Sequence, residues 1–80
     1  MKIPRDLNAE NLIKILKQLD YIQVRQTGSH IRLKRIFNNM EHNITIPNHN
    51  PIKIGTLNNI FKDIASNLNI PKSDLINRLF

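Results

Sequence analysis

Apolar residues in this chain change their spacing twice within 80 residues, from helical to alternating and back to helical. That change constrains the order of elements more than any composition figure. Between Leu7 and Asp20, residues Leu12, Ile13, Ile15, Leu16 and Leu19 recur at helical spacing, while Glu10, Asn11, Lys14, Lys17 and Gln18 fall largely on the other side. The pattern predicts an amphipathic helix with a basic outer face. Asn8 or Asp6 is placed to cap its first turn, and Asp20 to end it in the left-handed conformation that Asp tolerates. From Tyr21 the period becomes two. Ile22 and Val24 alternate with Gln23 and Arg25, Gln26-Thr27-Gly28 supplies a turn, and Ile31 and Leu33 alternate with His30, Arg32 and Lys34. Asn38-Asn39 marks a second turn, after which Ile44 and Ile46 give a third strand closed by Pro47. After a loop from Pro47 to Ile54, Thr56 is predicted to cap a helix whose Leu57, Ile60, Phe61, Ile64 and Leu68 repeat at helical spacing. Pro71 suits the first turn of a short C-terminal helix through Leu75, Ile76 and Leu79.

The expected class is therefore α+β: a helix, three antiparallel strands, a helix and a short extra helix, in one domain over residues 1–80. The sheet has one apolar face, and both amphipathic helices must bury their stripes on it. The other face is left open. By strand parity it is expected to hold His30, Arg32 and Lys34, with Gln23 and Arg25 from the neighbouring strand.

Charge says what such a face attracts. Twelve Lys and Arg against six Asp and Glu leave a net charge of +6, a large positive field on a small surface that draws polyanions. This balance alone does not separate an RNA binder from a DNA binder, a ribosomal protein or a membrane-surface peptide. The absence of cysteine excludes disulfides and thiolate metal sites. Met1 to Arg5 leads into a polar segment without the apolar core of a secretory signal, and no run is long enough to span a bilayer, so the cytoplasm is the expected location.

His30 draws the most weight among residues that carry chemistry, because it follows a Gly-Ser turn and falls by alternation on the basic face. A lone strand histidine is ordinarily a surface residue. Beside Arg25, Arg32 and Lys34, however, it matches what cleavage of RNA by its own 2′-hydroxyl requires, which is proton transfer and cationic stabilisation without metal or cofactor. Ser29 is open to three roles: bonding a phosphate oxygen, orienting the imidazole, or forming the turn. Gly28 serves a positive φ or a close approach of backbone to ligand. His49, in the loop after the third strand, either approaches the same face as a second acid or phosphate ligand, or bonds the loop together. His42 is read as a surface residue. Three histidines without a carboxylate at ligand spacing predict no metal site.

Together these residues resemble the HicA toxin family, from Leu7 to Leu79. The landmarks are the amphipathic first helix, Val24-Arg25-Gln26-Thr27-Gly28-Ser29-His30, Ile46-Pro47-Asn48-His49, and Gly55-Thr56-Leu57 with Ile60 and Lys62. The resemblance implies a fold similar to double-stranded RNA-binding domains, and a toxin that cuts mRNA through the His of the Gly-Ser-His run and is held inactive by a HicB-type antitoxin. It assigns catalysis to His30, supported by Gly28 and Ser29, and gives His49 a structural or assisting role. Two positions depart from the family pattern: Asp20 stands where Gly is common, and Ile31 where a polar residue or a second His is frequent. A non-catalytic double-stranded RNA-binding module is the alternative, and it needs a basic cluster at the start of the second helix, where Gly55 to Ile64 offers only Lys62.

Overall fold

The computed structural model describes residues 3–80; Met1 and Lys2, which open the segment read above for a secretory signal, lie outside the described residues. Helix α1 runs over Ala9–Leu16 and tightens into a 3₁₀ turn at Lys17–Leu19. Strands β1 (Ile22–Thr27), β2 (His30–Phe37) and β3 (Met40–Pro47) follow, then helices α2 (Ile54–Leu68) and α3 (Lys72–Leu79). The sheet is antiparallel in the order β1-β2-β3, so β2 is central and pairs with both neighbours. This is the α+β order expected from the spacing of apolar residues.

Local chemistry sets the boundaries. Asn8, not Asp6, caps α1: its side-chain oxygen accepts from the Asn11 N–H at 2.8 Å. Asp20 ends the first helical segment at φ 70°, and Asn69 ends α2 in the same left-handed conformation at φ 59°. Both residues of the Asn38-Asn39 turn have positive φ, 52° and 64°, as a two-residue hairpin of type I′ demands. The first hairpin turns one residue later than expected. Thr27 still pairs with His30, and the loop is Gly28-Ser29, with Gly28 at φ 59°. Among the described residues, and apart from its two chain neighbours, nothing lies within 4 Å of where a Gly28 Cβ would sit, so backbone conformation rather than crowding calls for glycine there.

Two helix starts differ from expectation. Helix α2 begins at Ile54 with Lys53 at its cap and no side-chain capping bond, which puts Thr56 inside the first turn. The apolar repeat specifies which side of α2 is buried, but it does not mark where the helix begins. Pro71 stands just before α3, where its carbonyl accepts from the N–H groups of Asp74 (3.0 Å) and Leu75 (3.2 Å).

The core joins Leu12 and Leu16 of α1, Ile31 and Leu33 of β2, Ile44 and Ile46 of β3, and Leu57, Phe61 and Ile64 of α2, with Leu75 and Ile76 of α3 closing one end. Strand β1 departs from simple alternation. A bulge between Gln23 and Arg25 leaves Val24 as an extra residue, so Ile22 opposes Lys34 and Arg25 opposes Arg32, while Gln23 opposes Leu33. Ile22 and Arg25 thus share the open face, and Gln23 lies on the helix side beside Lys14 and Lys17 of α1. The expectation that Ile22 and Val24 are buried and that Gln23 lines the open face is therefore corrected: Ile22 is 56% exposed and Val24 42%. Tyr21, fully buried, supplies the apolar contact that these two do not.

Tyr21 also corrects the reading of His42. That imidazole is only partly exposed on the helix side of the sheet, with Nδ1 2.6 Å from the Tyr21 hydroxyl and Nε2 3.4 Å from an Asp63 carboxylate oxygen. Donation from Nε2–H to Asp63 and from the phenol to Nδ1 satisfies all three groups. Burial, opposed by Arg35 and reinforced by Asp63, raises the Tyr21 pKa from 10.0 to about 12. The folded state therefore holds the phenolic proton more tightly than the unfolded chain. The stability this brings is intact below pH 10 and is lost as pH rises toward 12. As the chain has one tyrosine, an absorbance titration of folded protein should show phenolate only near pH 12, and Tyr21→Phe should flatten the fall in melting temperature between pH 10 and 12.

Candidate active site

Because Ile31 and Leu33 point into the core, the residues that alternate with them on β2 must face away from it. Pairing then extends this outward row across the sheet. His30 lies opposite Thr27 on one side and Pro47 on the other, and Arg32 lies between Arg25 and Thr45. Arg25, Thr27, His30, Arg32 and Thr45 line one shallow depression of about 210 Å³. Of the residues singled out from sequence, the structure brings Arg25, His30 and Arg32 together here. Thr27 and Thr45 were missed. Their signal is positional only: each stands directly across the ladder from His30 or Arg32, which requires knowing the register.

The other expected residues surround the depression without lining it. Gly28 and Ser29 form the turn that ends β1 and starts β2. The Ser29 carbonyl accepts from the Asn48 N–H at 2.7 Å, which ties the loop after β3 to this turn. His49 is exposed in that loop, and its N–H donates to the Pro47 carbonyl at 2.9 Å. Lys34 is one rung further along β2, with its ammonium 3.4 Å from Glu41.

The electrostatics of the depression are unusual for a sheet surface. Arg25 and Arg32 are directly opposed across the β1–β2 ladder, a like-charge pairing that costs roughly 0.2–1 kcal/mol. Among the described residues, neither has a carboxylate within 4.0 Å. Two arginines opposed on one face and lining one depression, without a neighbouring carboxylate, can offer a phosphate their N–H donors. The threonine hydroxyls add donors beside them, and His30 brings the one imidazole among the described residues that line the depression, the side chain most often used in general acid–base catalysis. Among the described residues, no three His, Cys, Asp or Glu side chains are grouped to hold a metal, and no helix is long and apolar enough to cross a membrane.

A larger concavity of about 630 Å³ lies on the helix side, between the N-terminal segment and the starts of α2 and α3. Its ionisable side chains are Arg5 and Lys72, the latter donating to Asn58 at 2.6 Å. Among the described residues that line it there is no histidine and no carboxylate, the side chains that most often act as general acids and bases.

The opposed arginines give a direct test of the depression. Arg25→Thr should raise the melting temperature slightly, by the relief of about 0.2–1 kcal/mol. Inorganic phosphate should stabilise the unmodified protein against heat more than it stabilises this variant.

Residues 9–65 match the family model described as the HicA toxin of bacterial toxin–antitoxin systems. Comparison with curated proteins and with solved structures gives no match.

Proposed function

The chain belongs to the HicA toxin family, and from that membership together with the open sheet face we propose that it is a metal-independent endoribonuclease acting on mRNA, with His30 as general acid and base. The observation that carries this reading is the uncompensated Arg25–Arg32 pair beside an exposed imidazole. A phosphodiester seated between the guanidiniums puts its phosphorus within reach of His30. His30 takes the proton of the neighbouring 2′-hydroxyl, the 2′-oxygen attacks phosphorus, and the bond to the 5′-oxygen breaks. The products are a 2′,3′-cyclic phosphate and a 5′-hydroxyl end, the leaving oxygen taking up a proton from the imidazolium. Arg25 and Arg32 offset the negative charge that grows on the phosphorane, and the Gly28-Ser29 turn with the Asn48 tie holds His30 in place. Lys34 and His49 flank the substrate path.

His30→Ala should abolish RNA cleavage and growth arrest while leaving the thermal melt unchanged, because the side chain is exposed. EDTA should leave the activity of the unmodified protein intact. Cleavage retained by His30→Ala, or lost in EDTA, would overturn the mechanism.

A non-catalytic double-stranded RNA-binding module gains no support from α2, which opens Ile54-Gly55-Thr56-Leu57 and carries its one cation, Lys62, two turns in.

The antitoxin of the pair is proposed to be HicB-type and to cover His30. With a net charge of +6 on the toxin, an acidic antitoxin surface is steered in by long-range attraction. The association rate should fall by tenfold or more between low and high salt in stopped-flow mixing, and an unchanged rate would argue against charge-led capture.

A further inference from the structure

Beyond the depression, the open face continues for two more rungs of a different character. The first holds Ile22, Lys34 and Asn43, and the second Ile36 and Glu41. Rungs on one face are about 6.6 Å apart along the strands, close to the phosphate separation of an extended single strand. A polynucleotide running along β2 from His30 therefore meets these rungs with its next nucleotides.

Three features here serve no evident purpose in a plain surface ladder. Ile22 is 56% exposed and Ile36 64%, and the first is on this face only because of the β1 bulge. Glu41 places a carboxylate on a face otherwise suited to polyanions. That carboxylate is also held from two sides, accepting from Asn43 at 2.8 Å through one oxygen and lying 3.4 Å from Lys34 through the other. Asn43, then Lys34, keep its pKa below the ordinary carboxylate range, so it presents acceptors only. An exposed ion pair contributes little to stability, so stability alone does not account for it.

We propose that these rungs form a base-reading subsite, in which Glu41 accepts from the two adjacent N–H donors of a guanine whose ring rests on Ile22 and Ile36, a few nucleotides from the scissile phosphate. Guanine is the one base with two neighbouring N–H donors on its pairing edge. Adenine and cytosine offer one amino group beside an acceptor, and uracil one N–H between two carbonyls that a carboxylate repels. Single-stranded RNA presents this edge unpaired, as such reading requires. The inference rests on the ribonuclease reading and adds the substrate feature that this face selects.

Binding can be read without cleavage in His30→Ala protein, using fluorescein-labelled oligouridylate hexamers, uniform or with one guanine at each position in turn. A guanine at one position should tighten binding roughly tenfold. Glu41→Gln should remove that gain without weakening the uniform hexamer, and Ile36→Ser should reduce it several-fold. Equal affinity for all hexamers, or a guanine preference that survives Glu41→Gln, overturns the subsite and leaves these rungs to a protein partner. Cleavage by the unmodified protein with no guanine preference overturns the subsite alone. Absence of both binding and cleavage overturns the ribonuclease reading with it.

Discussion

The alternation of β2 is the constraint on which the rest depends. This strand is paired on both sides, and Ile31 and Leu33 are held in the core between the sheet and the helices. A slip of one residue would bring two leucine-sized side chains into water and a histidine and an arginine into an apolar layer. Each fully buried aliphatic side chain is worth about 1.5–3 kcal/mol, so such a slip would cost much of the stability a small domain possesses. The outward residues are therefore held as firmly as the inward ones. His30 and Arg32 owe their position to the burial of their neighbours rather than to any contact of their own.

That burial also explains how the open face tolerates an unfavourable charge arrangement. The Arg25–Arg32 opposition costs at most about 1 kcal/mol. Against the core it is a small term, and the two turns and the bulge leave the pair no freedom to separate along the ladder. The helix side shows the opposite solution. There, polar groups that come near the core are satisfied locally: Tyr21 by His42, His42 by Asp63, and the Leu19 carbonyl by Arg35 at 2.9 Å. One side of the sheet is closed and self-satisfied; on the other, among the described residues, Arg25 and Arg32 have no carboxylate within 4.0 Å, and only Lys34 and Asn43 are paired, both with Glu41.

Much of this was legible in the chain. The helix–strand–helix order, the left-handed Asp20 and the Asn38-Asn39 turn follow from local rules, because each depends on a few adjacent residues. The face of β2 was legible for the same reason, its alternation being unbroken from His30 to Lys34. Strand β1 was not. Its alternating Ile22 and Val24 look like a buried pair, yet the bulge places Ile22 outside and Gln23 on the helix side, because Tyr21 occupies the buried position first. A bulge is a property of two paired strands, and nothing in one strand's own pattern announces it. The role of His42 was hidden likewise, since its partners stand 21 residues away on either side.

The sequence by itself determined the elements, the basic balance and the run Gly28-Ser29-His30, since propensity, turn chemistry and charge are local or additive. Only the tertiary structure decided that Thr27 and Thr45 join the expected Arg25 and Arg32 around His30, while Lys34 stands a rung away. Thr27, Arg25, Arg32 and Thr45 come together through hydrogen-bond register between three strands. That register is chosen by the packing of the far face of the sheet, where none of these residues lies.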